Sequence, residues 1–109
     1  MEKEWLDYRS SDGNMYFSFC FCNEGVFKGW KIQILDPIDY KGRNTGGHAT
    51  HRLFHDNDDY DCICWEGKIR SLEEAKSVAS LWGDITSLYI RGMGSFDTIA
   101  GKLVKGQKL

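Results

Sequence analysis

Apolar positions in the C-terminal half recur at helical spacing. Leu72, Ala75, Val78, Ala79, Trp82, Ile85 and Tyr89 fall on one stripe, the mark of an amphipathic helix. Ser71-Leu72-Glu73-Glu74 precedes the stripe as a capping box. Its serine hydroxyl is placed for the Glu74 amide, and the Glu74 carboxylate can reach back to the serine's own amide. Arg91-Gly92 supply a cation and a stop. Leu81, Ile85 and Leu88 form a second strip beside the first. Gly83 costs ~1 kcal/mol in a helix interior relative to alanine, which predicts a close approach by another backbone. Beyond the long helix, Ser95 caps a short one with Phe96, Ile99, Ala100, Leu103 and Val104 on one side.

Upstream the period falls to two, as in strands. Residues 5–9 predict a short first strand, and Ser11-Asp12-Gly13-Asn14 a tight turn. Residues 15–22 predict a second strand, Asn23-Glu24-Gly25 a turn, and residues 26–35 a third strand. Pro37, the only proline, ends it. Residues 37–47 read as an irregular segment, with residues 41–47 a mobile or contact loop, and residues 49–66 as a hairpin around Asp56-Asn57-Asp58-Asp59. The expectation is one α+β domain over residues 1–109. Its antiparallel sheet has four to five strands in a hairpin meander, packed by one long C-terminal helix and a short terminal helix.

Register decides which face is apolar. With Val26 opposite Cys22, Met15, Phe17, Phe19, Phe21 and Phe27 share one face of the first hairpin. Tyr16, Ser18, Cys20, Cys22, Val26, Trp30, Ile32 and Ile34 share the other. With His55 opposite Tyr60, Phe54, Ile63 and Trp65 oppose Leu53, Tyr60, Cys62 and Cys64. Both faces then carry apolar side chains, although one long helix covers only part of one face. The second face is left to the short C-terminal helix, the 37–47 segment, a second copy of the chain or a different protein, and an apolar face left exposed usually marks an interface.

Charge sharpens this picture. The net charge of −2 and pI of about 5.9 argue against a generic polyanion binder. The charge is divided as −3 over residues 1–25, +3 over 26–55, −5 over 56–66 and +3 over 67–109, so an acidic hairpin tip lies between two basic regions. No stretch is long and apolar enough for a membrane span. Met1-Glu2-Lys3-Glu4 lacks the apolar run of a signal peptide, which predicts a cytoplasmic location with reduced thiols.

Candidate chemistry is incomplete everywhere. Cys20-Phe21-Cys22 and Cys62-Ile63-Cys64 put two sulfurs each on one side of a strand. Their spacing is not that of a zinc knuckle, and buried cysteine is a good small core residue. His51 faces Cys64 across the second hairpin, without the base, orienter and anion hole that a thiol nucleophile needs together. The aspartates of the turn lack the glycine and distant glutamate of a calcium loop. Lys41-Gly42-Arg43-Asn44-Thr45-Gly46-Gly47 opens no helix that would cradle a phosphate. No catalytic residue, cofactor or metal is expected.

The hairpin followed by Ser71-Leu72-Glu73-Glu74-Ala75 resembles the sheet-plus-helix DNA-binding modules of phage integrases. That resemblance implies a sheet entering a groove, which an acidic tip opposes. The reading is a non-catalytic protein-binding domain of accessory, inhibitor or immunity type, or a homodimer. Its candidate contact residues are Phe17, Phe19, Phe21, Phe27, Lys41, Arg43, Leu81 and Leu88. The alternatives are a nucleic-acid-binding module using Lys28, Lys31, Lys41, Arg43 and Arg52, with aromatics stacking on bases, and a small metal or thiol protein.

Overall fold

The computed structural model describes residues 3–53 and 60–104. In chain order the elements are β1 (Lys3–Arg9), β2 (Tyr16–Asn23), β3 (Trp30–Ile34), α1 (Gly47–Thr50), β4 (Arg52–Leu53), β5 (Asp61–Ile63), α2 (Leu72–Ile90) and α3 (Phe96–Val104). The five strands form one antiparallel sheet, and the protein is α+β. Among the described residues, no helix is long and apolar enough to cross a membrane. The predicted acidic tip, Phe54 and the His55–Tyr60 pairing lie outside the described residues.

The strand order is β1-β2-β3-β5-β4, which departs from a meander at one point. After β3 the chain crosses to the far edge, forms β4, and returns as β5 in the slot beside β3. The long 35–51 connection makes this crossing possible. Within that hairpin the predicted register holds: Arg52 pairs with Ile63, and the Cys64 amide donates to the His51 carbonyl at 2.8 Å.

The first hairpin corrects its expected register. Phe19 pairs with Ile34, Phe21 with Ile32, and Cys22 with Lys31. The turn is not three residues but the whole 24–29 loop, closed by Glu24 N–H to the Gly29 carbonyl and Gly29 N–H to the Gly25 carbonyl, both at 2.8 Å. The change is odd in residue number, so every β3 side chain moves to the opposite face. Ile32 and Ile34 now join Phe17, Phe19 and Phe21, and the sheet has one apolar face and one mixed face.

Helix α2 lies on the apolar face. Trp82 meets Phe17 and Phe19 edge-on, with ring centroids 5.6 and 6.1 Å away, and its indole N–H donates to the Thr50 carbonyl at 3.1 Å. Ala75, Val78, Ala79, Ile85 and Tyr89 complete the buried stripe, and Phe96 and Ile99 of α3 extend the core. The cap is a variant of the expected box. Ser71 Oγ accepts from the Glu74 amide at 3.1 Å, but the Glu74 carboxylate accepts from the amide of Arg70 rather than that of Ser71. Gly83 does admit a close neighbour, but this is the Phe17 and Tyr8 rings rather than a backbone.

Residues 41–47, expected to be a mobile loop, are tied to the core together with Tyr40 just before them. Tyr40 is buried edge-on to Tyr89, and the Tyr89 hydroxyl donates to the Asn44 carbonyl at 2.8 Å.

Candidate protein-binding surface

The face that α2 covers decides the place of the predicted phenylalanine contacts. Phe17, Phe19 and Phe21 are 1%, 0% and 0% exposed, sealed beneath α2, so they are core residues and not a contact face. Arg43 is half-buried and engaged within the chain: its guanidinium lies 4.3 Å from the Tyr89 ring centroid and donates to the Gly94 carbonyl at 3.1 Å. Lys41 stays exposed, 3.7 Å from Asp39. Leu81 and Leu88 are half-buried against the core, a wide version of the α2 stripe.

Phe27 alone of the predicted aromatics faces water, at 96% exposure, and Val26 beside it is 85% exposed. The loop that carries them is fixed. Besides its two closing backbone bonds, the Gly25 amide donates to Asn23 Oδ1 at 3.0 Å and Lys68 Nζ to the Val26 carbonyl at 2.8 Å. At its base the Trp30 amide donates to the Ile69 carbonyl at 2.9 Å. Gly29, at φ 77°, lies so close to Ile69 that any Cβ would collide with that carbonyl. A left-handed glycine is the residue such a close approach demands.

Beside the tip runs a shallow groove of about 240 Å³ lined by Glu24, Lys28, Trp30, Lys31, Leu53 and Trp65, among others. Leu53 and Trp65 are exposed. They had a signal in the sequence as apolar residues of the second hairpin. Their meeting with Lys28 in one groove did not, because it depends on β5 occupying the slot beside β3. Lys28, Lys68 and Arg70 are exposed basic residues along the loop and the segment that braces it, and Glu24 sits 3.9 Å from Lys31.

The mixed face of the sheet carries the cysteines. Across it Trp5, Cys20, Gln33, Cys62 and Leu53 stand in one row, and Lys3, Cys22 and Lys31 in the next. The two C-x-C pairs therefore flank β3 and are about 10 Å apart by strand spacing. Cys20 and Cys22 sulfurs approach to 3.8 Å, and no group of three or more metal-ligating side chains occurs among the described residues. All four cysteines are free thiols, with Cys20, Cys22 and Cys62 buried. Burial, with Cys20 as neighbour, pushes the Cys22 thiol up to about 11 against the opposing pull of Lys3 and Lys31.

A larger cleft, about 690 Å³, is lined by His48, His51, Cys64, Trp65, Glu66 and Asp97, among others. His51 Nε2 lies 2.8 Å from Asp97 Oδ1, and its ring stacks on Phe96 with centroids 4.3 Å apart. The link between His51 and Cys64 is their backbone hydrogen bond, so the histidine is oriented by α3 and serves as a tie between α3 and β4.

The basic residues considered for nucleic acid do not converge. Lys28 and Lys31 stand at the start of β3, and Lys41 and Arg43 follow its far end. Arg52 is held by Asp61 at 2.6 Å and by the Tyr40 hydroxyl.

The chain matches no known protein family, no curated protein and no solved structure.

Proposed function

We propose that this chain is a small, non-catalytic protein-binding domain whose contact surface is the 24–29 loop and the groove beside it. The observation that carries the reading is Phe27, held almost fully exposed on a loop braced from both sides. Leaving one phenylalanine in water forgoes about 1.5–3 kcal/mol of burial. A preorganised aromatic enters a partner's pocket with little ordering cost, and such anchors dominate interface energetics. Lys28, Lys68 and Arg70 give the surroundings of the tip a basic character. The fitting partner is a protein with an apolar pocket rimmed by carboxylates. An accessory or inhibitor role suits such a domain, and four thiols suit a reducing cytoplasm.

The test is photo-cross-linking in the cell that expresses the protein. A photoreactive side chain at position 26 is expected to give one adduct of discrete mass, whereas one at exposed Asp36, beyond the opposite end of β3, gives none. No adduct at 26, or the same ladder from both positions, overturns the reading.

A further inference from the structure

The two edges of the sheet are unequal. β4 has two residues, whereas β1 has seven and, among the described residues, pairs only with β2. An edge strand presents a row of unpaired N–H and C=O groups, a template for another strand. We propose that β1 pairs antiparallel with β1 of a second copy of this chain, in the register that sets Trp5 opposite Trp5.

The sequence of β1 selects that register. Two copies joined edge to edge are related by a two-fold axis through the sheet, so facing residues share a sheet face and the interface is self-complementary. Centred on Leu6, Lys3 faces Arg9; centred on Asp7, that aspartate faces itself; centred on Glu4, that glutamate faces itself. Like charges directly opposite are destabilising. Centred on Tyr8, only the last three residues of the strand engage. Centred on Trp5, Lys3 of each copy faces Asp7 of the other, Glu4 faces Leu6, and Trp5 meets Trp5.

The side chains are placed for this. Lys3, Trp5 and Asp7 all lie on the mixed face of the sheet, and Trp5 is 64% exposed next to the small Cys20. Asp7 is fixed by the Ser18 hydroxyl at 2.8 Å. Among the described residues, neither Lys3 nor Asp7 is ion-paired within its own chain. Pairing two copies closes the long edge, joins two five-stranded sheets into one of ten, and covers two exposed tryptophans. This inference is independent of the Phe27 surface, which lies on a loop and not on the edge.

Sedimentation equilibrium of the full chain tests it by charge reversal. The parent is expected to be a dimer. Lys3→Asp and Asp7→Lys each set like charges opposite twice, and each is expected to weaken dimerisation by about tenfold or more. The combined Lys3→Asp/Asp7→Lys chain restores both pairs and returns to within about threefold of the parent. Circular dichroism verifies that each variant is folded. As a second measurement, Trp5→Cys is expected to form a 5–5 disulfide on oxidation, located by peptide mapping, while Leu6→Cys forms no 6–6 link. A monomeric parent, a dimer indifferent to the reversals, or a 6–6 link in place of 5–5 overturns the proposal.

Discussion

Asp12, in the turn between β1 and β2, accepts the Ser87 hydroxyl of α2 at 2.7 and 2.9 Å. The same carboxylate accepts from Ser10 Oγ at 2.6 Å, from the Asn14 amide at 3.1 Å and from Arg91 at 3.3 Å. Two carboxylates clamp this turn to the helix, since Asp84 of α2 accepts from the Tyr8 hydroxyl and from the amide and hydroxyl of Ser11, each at 2.8 Å.

Burial alone raises the Asp12 pKa, but the four donors outweigh it and hold the carboxyl well below the ordinary range. A depressed folded pKa contributes stability above the unfolded value near 4, and that stability is lost as pH falls below it. Asp12→Asn is expected to cost about 1–3 kcal/mol at pH 7. Urea melts of the two chains should converge as pH falls from 5 toward 2. A gap that stays constant with pH would assign the loss to packing rather than charge.

Trp82→Ala is expected to destabilise the fold by about 3–5 kcal/mol, against about 0.5–2 kcal/mol for Ser71→Ala. The indole packs edge-on against both Phe17 and Phe19 and supplies the donor for the Thr50 carbonyl. Ser71 satisfies one helix amide. Denaturant melts of the two variants check the order.

Gly83→Ala separates helix propensity from packing. In an open helix the change gains ~1 kcal/mol. Here the new Cβ would lie 3.1 Å from two Phe17 ring carbons and 3.3 Å from a Tyr8 ring carbon, and overpacking of this kind costs about 1–3 kcal/mol. A net loss of stability is expected by chemical denaturation. A gain would mean that the Phe17 ring yields freely.

Thiol accessibility follows from the sheet faces. Cys64 is half-buried, while Cys20, Cys22 and Cys62 are buried and Cys22 is pushed up to about 11. Alkylation of the native chain at pH 8, followed by peptide mass mapping, is expected to label Cys64 first and Cys22 last. Early labelling of Cys22 would place its sulfur in contact with solvent.

Local signals carried far in this chain, and long-range ones did not. The α2 stripe, both helix caps and the Ser11–Asn14 turn are written in adjacent residues, where spacing and capping chemistry act within one or two turns. The 24–29 loop was misread because Asn23-Glu24-Gly25 is a sound turn signal in itself. The longer loop wins because Trp30 bonds the Ile69 carbonyl, Gly29 packs against it and Lys68 reaches the Val26 carbonyl, contacts with a segment some forty residues onward. That single odd shift moved Ile32 and Ile34 into the core and left Phe27 outside it. The slot taken by β5 and the burial of Tyr40 are likewise tertiary choices with no local signature.

Two phenylalanines of the same hairpin part ways: Phe21 is sealed in the core, and exposed Phe27 is the residue we propose as the partner's anchor. The most direct measurement repeats the position-26 cross-linking in a Phe27→Ser chain whose denaturant melt is recorded alongside. The expected result is a melt within about 0.5 kcal/mol of the parent, as for a surface change, together with loss of the adduct. An undiminished adduct, or a melt lowered by the ~3–5 kcal/mol of a core phenylalanine, would contradict the claim.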